Sequence, residues 1–155
     1  MMRRSSQVHH LVSIIATVST AISLLVAGAS LADSGIPRSD RPGDARVYFI
    51  TPSAGETVRS PVIVRFGLSK MGVAPAGVEK DGTGHHHLIV DAELPPVDLP
   101  VPATDHYRHF GHGQTEVVLE LAPGAHTLQL LLGDHFHIPH DPPVVSERIS
   151  IVVTE

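Results

Sequence analysis

Gln114-Thr115-Glu116-Val117-Val118-Leu119-Glu120-Leu121-Ala122-Pro123-Gly124-Ala125-His126-Thr127-Leu128-Gln129-Leu130-Leu131-Leu132 reads as two strands folded about a turn. Thr115, Val117, Leu119 and Leu121 share one side of an extended chain, while Gln114, Glu116 and Glu120 share the other. Side chains alternate across a strand, so this period of two gives a half-buried β-strand and no helix. Pro123-Gly124 ends the run, because proline cannot donate to a ladder and glycine accepts turn conformations. Leu128, Leu130 and Leu132 then repeat the pattern as the inward face of the next strand, 126–132.

The same reading extends in both directions. Residues 46–51 form a first strand, stopped by Pro52 and the Ser53-Ala54-Gly55 turn. Residues 57–68 form a second, with Val62, Val64, Phe66 and Leu68 on one face and an edge or bulge at Pro61. Four glycines and a proline make 69–84 a long loop. A third strand covers 85–91, and the proline-rich 93–104 has room for one short edge strand within 97–103. The last strand, 144–153, places Ile149, Ile151 and Val153 on one face. About seven short strands, turn signals between them and no convincing helix predict an all-β fold, a single immunoglobulin-like antiparallel β-sandwich. The chain has no Cys and no Trp, so nothing marks an antibody-type domain and the assignment is one of architecture.

The first 32 residues read as a secretory signal peptide: Arg3-Arg4, an apolar run from Leu11 to Ala27, and small residues at Ser30 and Ala32 around a cleavage point. The apolar run is short against the roughly 20 residues of a membrane span. The expected organisation is therefore a signal peptide at 1–32, a flexible N-terminal tether at 33–45, rich in Gly, Pro and charge, and the sandwich at 46–155. The expected location is periplasmic or secreted, with no membrane span after cleavage. Without Arg3 and Arg4 the chain carries 9 basic against 16 acidic residues, which disfavours nucleic acid and anionic membrane surfaces. Nothing in the sequence names a protein partner.

Of the 12 histidines, His9 and His10 lie in the leader and nine of the other ten fall in three clusters. These are His85-His86-His87, then His106, His109 and His112, then His135, His137 and His140. Neutral imidazole is a common ligand for zinc, copper and nickel. In a seven-stranded sandwich the loops between the second and third, fourth and fifth, and sixth and seventh strands share one pole, which gathers all three clusters. His85 and His87 point the same way, about 6.6–7 Å apart along a strand, whereas His86 points with Leu88 and Val90 into the core. The candidate metal ligands are His85, His87, His109, His137 and His140, with His112, His135 and His106 as open questions and Asp134 and Asp141 as acceptors for ring N–H groups. His86 reads as an inward histidine with a ring nitrogen bonded to backbone, and the isolated His126 as a buried, satisfied histidine beside the Pro123-Gly124 turn. Copper and zinc are the candidate metals, because thiolates are absent and Met71 is the single thioether outside the leader. Binding is expected to weaken as pH falls through about 6.5, the free histidine value. Two other functions fit the same residues: a non-catalytic structural or interaction domain with a hydrogen-bonded histidine pole, and a metal-dependent enzyme with an open coordination position. No Ser-His-Asp order, phosphate loop or isolated carboxylate pair supports an enzyme, and no catalytic residue is assigned.

Gly82-Thr83-Gly84-His85-His86-His87-Leu88-Ile89-Val90-Asp91 begins a series of characteristic segments. His109-Phe110-Gly111, Gly113-Gln114-Thr115-Glu116, Pro123-Gly124-Ala125-His126-Thr127-Leu128-Gln129-Leu130, Gly133-Asp134, His137-Ile138-Pro139-His140 and Pro142-Pro143-Val144 follow in order. From Arg46 onward the chain resembles a bacterial family of small exported domains of unknown function. The resemblance implies an exported, compact β domain and carries over no activity; His112 and His135 fall outside its motif.

Overall fold

Val62, Val64 and Phe66 are buried while Ile63 and Arg65 between them are exposed, the alternation that turns a strand into one wall of a core. The computed structural model describes residues 35–155, so the signal-peptide reading lies outside the described residues. Nine strands form among them: β1 (Arg46–Thr51), β2 (Thr57–Arg59), β3 (Val62–Ser69), β4 (Gly72–Val73), β5 (Thr83–Val90), β6 (Tyr107–His109), β7 (Glu116–Leu119), β8 (Gly124–Gly133) and β9 (Ile149–Thr154). They build two sheets, one ordered β1-β3-β7 and the other β2-β9-β8-β5-β4, with β6 also paired to β5. The result is an immunoglobulin-like β-sandwich. No helix among the described residues is long and apolar enough to cross a membrane.

The core lies between the sheets. Val62, Val64, Phe66 and Leu119 face Leu88, Val90, Leu128, Leu130, Leu132, Ile149, Ile151 and Val153, all buried. The pattern at 114–121 and 126–132 therefore does what alternation predicts. Leu131 points away from this core yet is also fully buried. With Ile89 and Val101 it forms a second, smaller cluster on the outer face of the larger sheet. The covering element is the segment that follows β5.

Several elements differ from the sequence reading. The strand expected at 57–68 breaks at Ser60-Pro61, and its halves join different sheets: β2 runs parallel to β9, and β3 antiparallel to β1. The 69–84 loop contains β4, parallel to the start of β5, so the sandwich is antiparallel except for two short pairings. No strand forms within 97–103. The edge position goes instead to β6, where alternating Tyr107 and His109 meet Ile89 and His87 in antiparallel register. The stretch read as a flexible tether is docked from Arg38 onward, with Ser39 accepting the Asp141 amide at 3.0 Å and Arg38 donating to Pro139 at 3.0 Å.

At the far end of β5, Asp91 and His126 tie the strand to the start of β8. His126 donates from Nδ1 to Asp91 Oδ2 at 2.7 Å and from Nε2 to the Ala122 carbonyl at 2.8 Å. Both partners are acceptors, so the ring is best satisfied doubly protonated, and the Asp91 bond raises the His126 pKa above its ordinary value. Burial pushes the Asp91 carboxyl up, but the Thr127 amide and His126 outweigh it and hold it below the usual range. A raised histidine contributes stability that is fully present below pH ~6.5 and lost as pH rises through its folded value. A depressed aspartate contributes stability that is lost as pH falls through its own lowered value. The urea midpoint gap between wild type and His126→Ala is therefore expected to be wide at pH 6 and narrow at pH 9; a gap equal at both would show that no charged pair forms.

Candidate metal centre

Strand pairing brings the first three imidazoles together. β5 and β8 pair antiparallel with His85 opposite Gly133 and His87 opposite Leu131, and β6 lays His109 beside His87. Cross-strand partners share a face, so His85, His87 and His109 project from the outer face of the larger sheet, next to Ile89 and Leu131. Gly133 makes room for this. A Cβ there would lie 2.5 Å from His87 Cε1, which no side chain tolerates. The site thus sits on the sheet's outer face near one end, and not between loops at the pole of the sandwich.

The fourth imidazole comes from the turn that follows β8. Asp134 is 2 % exposed and organises that turn. Its Oδ1 accepts the amides of Phe136 at 2.9 Å and Ile138 at 3.0 Å, and its carbonyl accepts the His137 amide at 3.0 Å. His137 takes a left-handed backbone with φ 66°, a conformation that needs such bracing in a residue with a Cβ. Its carbonyl accepts the Val101 amide at 2.9 Å, so the segment after β5 holds the turn from the other side.

Three ring nitrogens converge on Nδ1 of His137: Nε2 of His85 at 2.9 Å, Nδ1 of His109 at 3.1 Å and Nε2 of His87 at 3.4 Å. The ligand nitrogens of His85, His87 and His137 all lie within 4.8 Å of one another. His109 donates from Nε2 to the Pro102 carbonyl at 2.8 Å, which leaves its Nδ1 as a lone pair in the neutral ring, aimed into the cluster. His85 and His87 are wholly buried, and Nδ1 of each lacks a hydrogen-bond partner.

Burial, then the neighbouring His137 and His109, lowers the His85 pKa to about 4, with Asp134 opposing. Burial and the other three rings lower His87 to about 2. His137 is also lowered, by burial first and His109 second. These imidazoles are neutral at pH 7, and the proton competition expected near 6.5 moves to lower pH because the rings are out of water and crowd one another.

Other histidines of the three clusters are placed elsewhere. His140 is buried, but its Nε2 donates to the Thr83 carbonyl at 3.1 Å. A Cβ on Gly84 would meet His140 Cε1 at 2.8 Å and Leu132 Cγ at 3.0 Å. Gly84 shares the inward face with Leu88 and Val90, so His140 lies across β5 from His85 and His87 and does not join them. His86 is inward as expected, with its ring centroid 4.7 Å from that of Phe66. The backbones of Gly67 and Gln114 approach the ring, yet neither nitrogen makes a hydrogen bond of normal geometry, and burial lowers its pKa to about 4. His112 is exposed, His106 donates from Nδ1 to the Val90 carbonyl at 2.8 Å, and His135 stacks on Phe136 with centroids 4.1 Å apart. Asp134 and Asp141 accept no ring N–H; the first bonds amides and the Ser39 hydroxyl, and the second pairs with Arg38.

Sequence reasoning did not find Gly133, the Pro102 carbonyl or the turn-building role of Asp134. Gly133-Asp134 carried a local signal, a glycine followed by a residue suited to an Asx turn.

No curated protein matches this chain. Among solved structures it is similar to the fibronectin(III)-like modules of Clostridium thermocellum CbhA, at 14 % identity, a TM-score of 0.34, and coverage of 69 % of this chain and 92 % of that one. The family model that matches spans residues 64–154 and so contains all four converging histidines. With more than half its length inside that match, the chain belongs to DUF4399, a domain of unknown function.

Proposed function

We propose that this domain is an exported metal-binding module, periplasmic or secreted, that holds one copper or zinc ion through His85, His87 and His137 with His109 as fourth ligand. The observation that carries the reading is the convergence of three ring nitrogens on His137 Nδ1. At most one proton can sit on that atom, so three contacts of 2.9–3.4 Å cannot all be good hydrogen bonds among neutral rings. A cation in their midst accounts for all of them. Nitrogens about 2.0–2.1 Å from an ion stand about 3.3 Å apart in a tetrahedron and about 2.9 Å apart at right angles. The three spacings to His137 fall in about that range, which suits zinc and Cu(II) alike.

With His109 as fourth ligand beside the His85, His87 and His137 trio, a tetrahedral site would be closed, whereas catalytic zinc keeps a position open. That favours retention or transfer of the ion over hydrolysis. Burial and the crowding of the rings hold His85, His87 and His137 below the ordinary histidine pKa, and buried Asp134 supplies a negative charge close enough to favour a positive His85. Elemental analysis of protein purified from its export compartment tests the reading. About one copper or zinc per chain is expected; protein that carries neither, and takes up neither from micromolar solution, refutes it.

A further inference from the structure

Residues 38–41 make polar contacts on both sides of the turn that carries His137. Ser39 donates from Oγ to Asp134 Oδ2 at 3.0 Å, and its carbonyl accepts the Asp141 amide at 3.0 Å. Arg38 donates from Nε to the Pro139 carbonyl at 3.0 Å and from a terminal nitrogen to the His140 carbonyl, and pairs with Asp141 at 3.2 Å. Arg41 donates to the Pro142 carbonyl at 3.0 Å. The segment therefore grips both ends of the turn, at 134 and at 139–142.

The chain of contacts runs straight to the metal centre. Ser39 occupies one oxygen of Asp134, and the other oxygen holds the amides on either side of His137. His137 itself sits in a backbone conformation that persists only while its surroundings over-determine it. The strap carries no apolar residue: Arg38, Ser39 and Arg41 dock by hydrogen bonds, with one ion pair from Arg38 to Asp141. Polar segments with few buried apolar contacts belong to the least stable part of a fold.

We propose that residues 38–41 are a positioning strap for His137, so that strap docking and metal occupancy reinforce one another. This rests on the metal reading of the centre. A ligand that needs the ordered turn binds in proportion to the fraction of molecules that have it, and its binding raises that fraction in return. Arg38 and Ser39 touch no ring nitrogen of the cluster; they act through Asp134 and the turn backbone.

The test uses the whole domain with Zn(II) and Cu(II) as separate probes. Ser39→Ala and Arg38→Ala are expected to weaken each metal by about 10–100-fold, the usual effect of removing a partner that orients a ligand. Ser39→Thr, which keeps the hydroxyl, restores affinity. Metal added to wild type slows hydrogen exchange at the Asp141 amide, whose acceptor is the strap, and does not do so in His137→Ala. Wild-type affinity in both alanine variants overturns the strap and leaves the metal site standing. If wild type binds neither metal, the metal reading fails by itself. The strap is then judged on metal-free protein: exchange at the His137 and Ile138 amides that is no faster in Ser39→Ala than in wild type overturns it.

Discussion

Metal affinity is expected to fall by well over ~100-fold when His85 and His87 are both replaced by alanine, since losing a mere orienting partner costs 10–100-fold. Both rings are fully buried and supply two of the nitrogens that meet at His137. Their removal leaves His137 and His109 as a two-nitrogen site open to water. Thermal unfolding reads the same loss. An ion present at about 100 times its dissociation constant stabilises the folded state by about 2.7 kcal/mol, and the double variant is expected to show no such gain. His140→Ala is the discriminating control. It lies across β5, bonded to Thr83, so it is expected to lower stability while affinity stays at the wild-type value. Loss of affinity in His140→Ala alone, with the double variant unaffected, would move the centre to the inner face of the sheet.

Phe66→Ala is expected to cost about 3–5 kcal/mol of folding stability, the usual range for deleting a buried aromatic ring. Phe66 is 1 % exposed at the middle of β3, and its ring lies 4.7 Å from His86 and 4.9 Å from Phe110, centroid to centroid. The cavity would undercut both β5 and the residue that follows β6, the two strands that register His87 against His109. For a domain with roughly 5–15 kcal/mol in hand, this is a large fraction of its stability. Urea unfolding at neutral pH measures it. Val118→Thr, 55 % exposed on the outer face of the β1-β3-β7 sheet, is the matching control and should change little. A Phe66→Ala loss below ~1 kcal/mol would mean that the sheets close over the gap, contrary to a close-packed core.

The alternation at 114–121 and 149–153 was legible because one face of each strand meets the core and the other meets solvent, and at 126–132 because Leu128, Leu130 and Leu132 repeat on the inward face, although Leu131 on the outer face is buried too. That physical contrast is local, and a period of two records it directly. The same argument separated His85 and His87 from His86, and this holds in the structure: two rings outward, one against Phe66. Pro61 was read as an edge or a bulge within one strand; the chain instead crosses to the other sheet there, which a residue pattern does not say.

Where alternation stops, local pattern stops with it. The loops were expected to gather the histidines at one pole. Instead β6 takes the free edge of β5 and delivers His109 through a register, and Asp134 folds a turn that aims His137 back over the sheet. His137 and His140 stand three residues apart with similar neighbours, yet they end on opposite sides of β5. Their separation depends on one left-handed residue and on which backbone amides Asp134 captures. The polar stretch before β1 looks like a tether by composition, because composition does not register that its partners lie about a hundred residues away, at 134–142. The sequence alone thus determined the sandwich, the inward and outward faces of its long strands and the imidazole chemistry on offer. Which four rings meet was decided only by tertiary structure, through contacts between segments far apart in the chain that no local periodicity encodes.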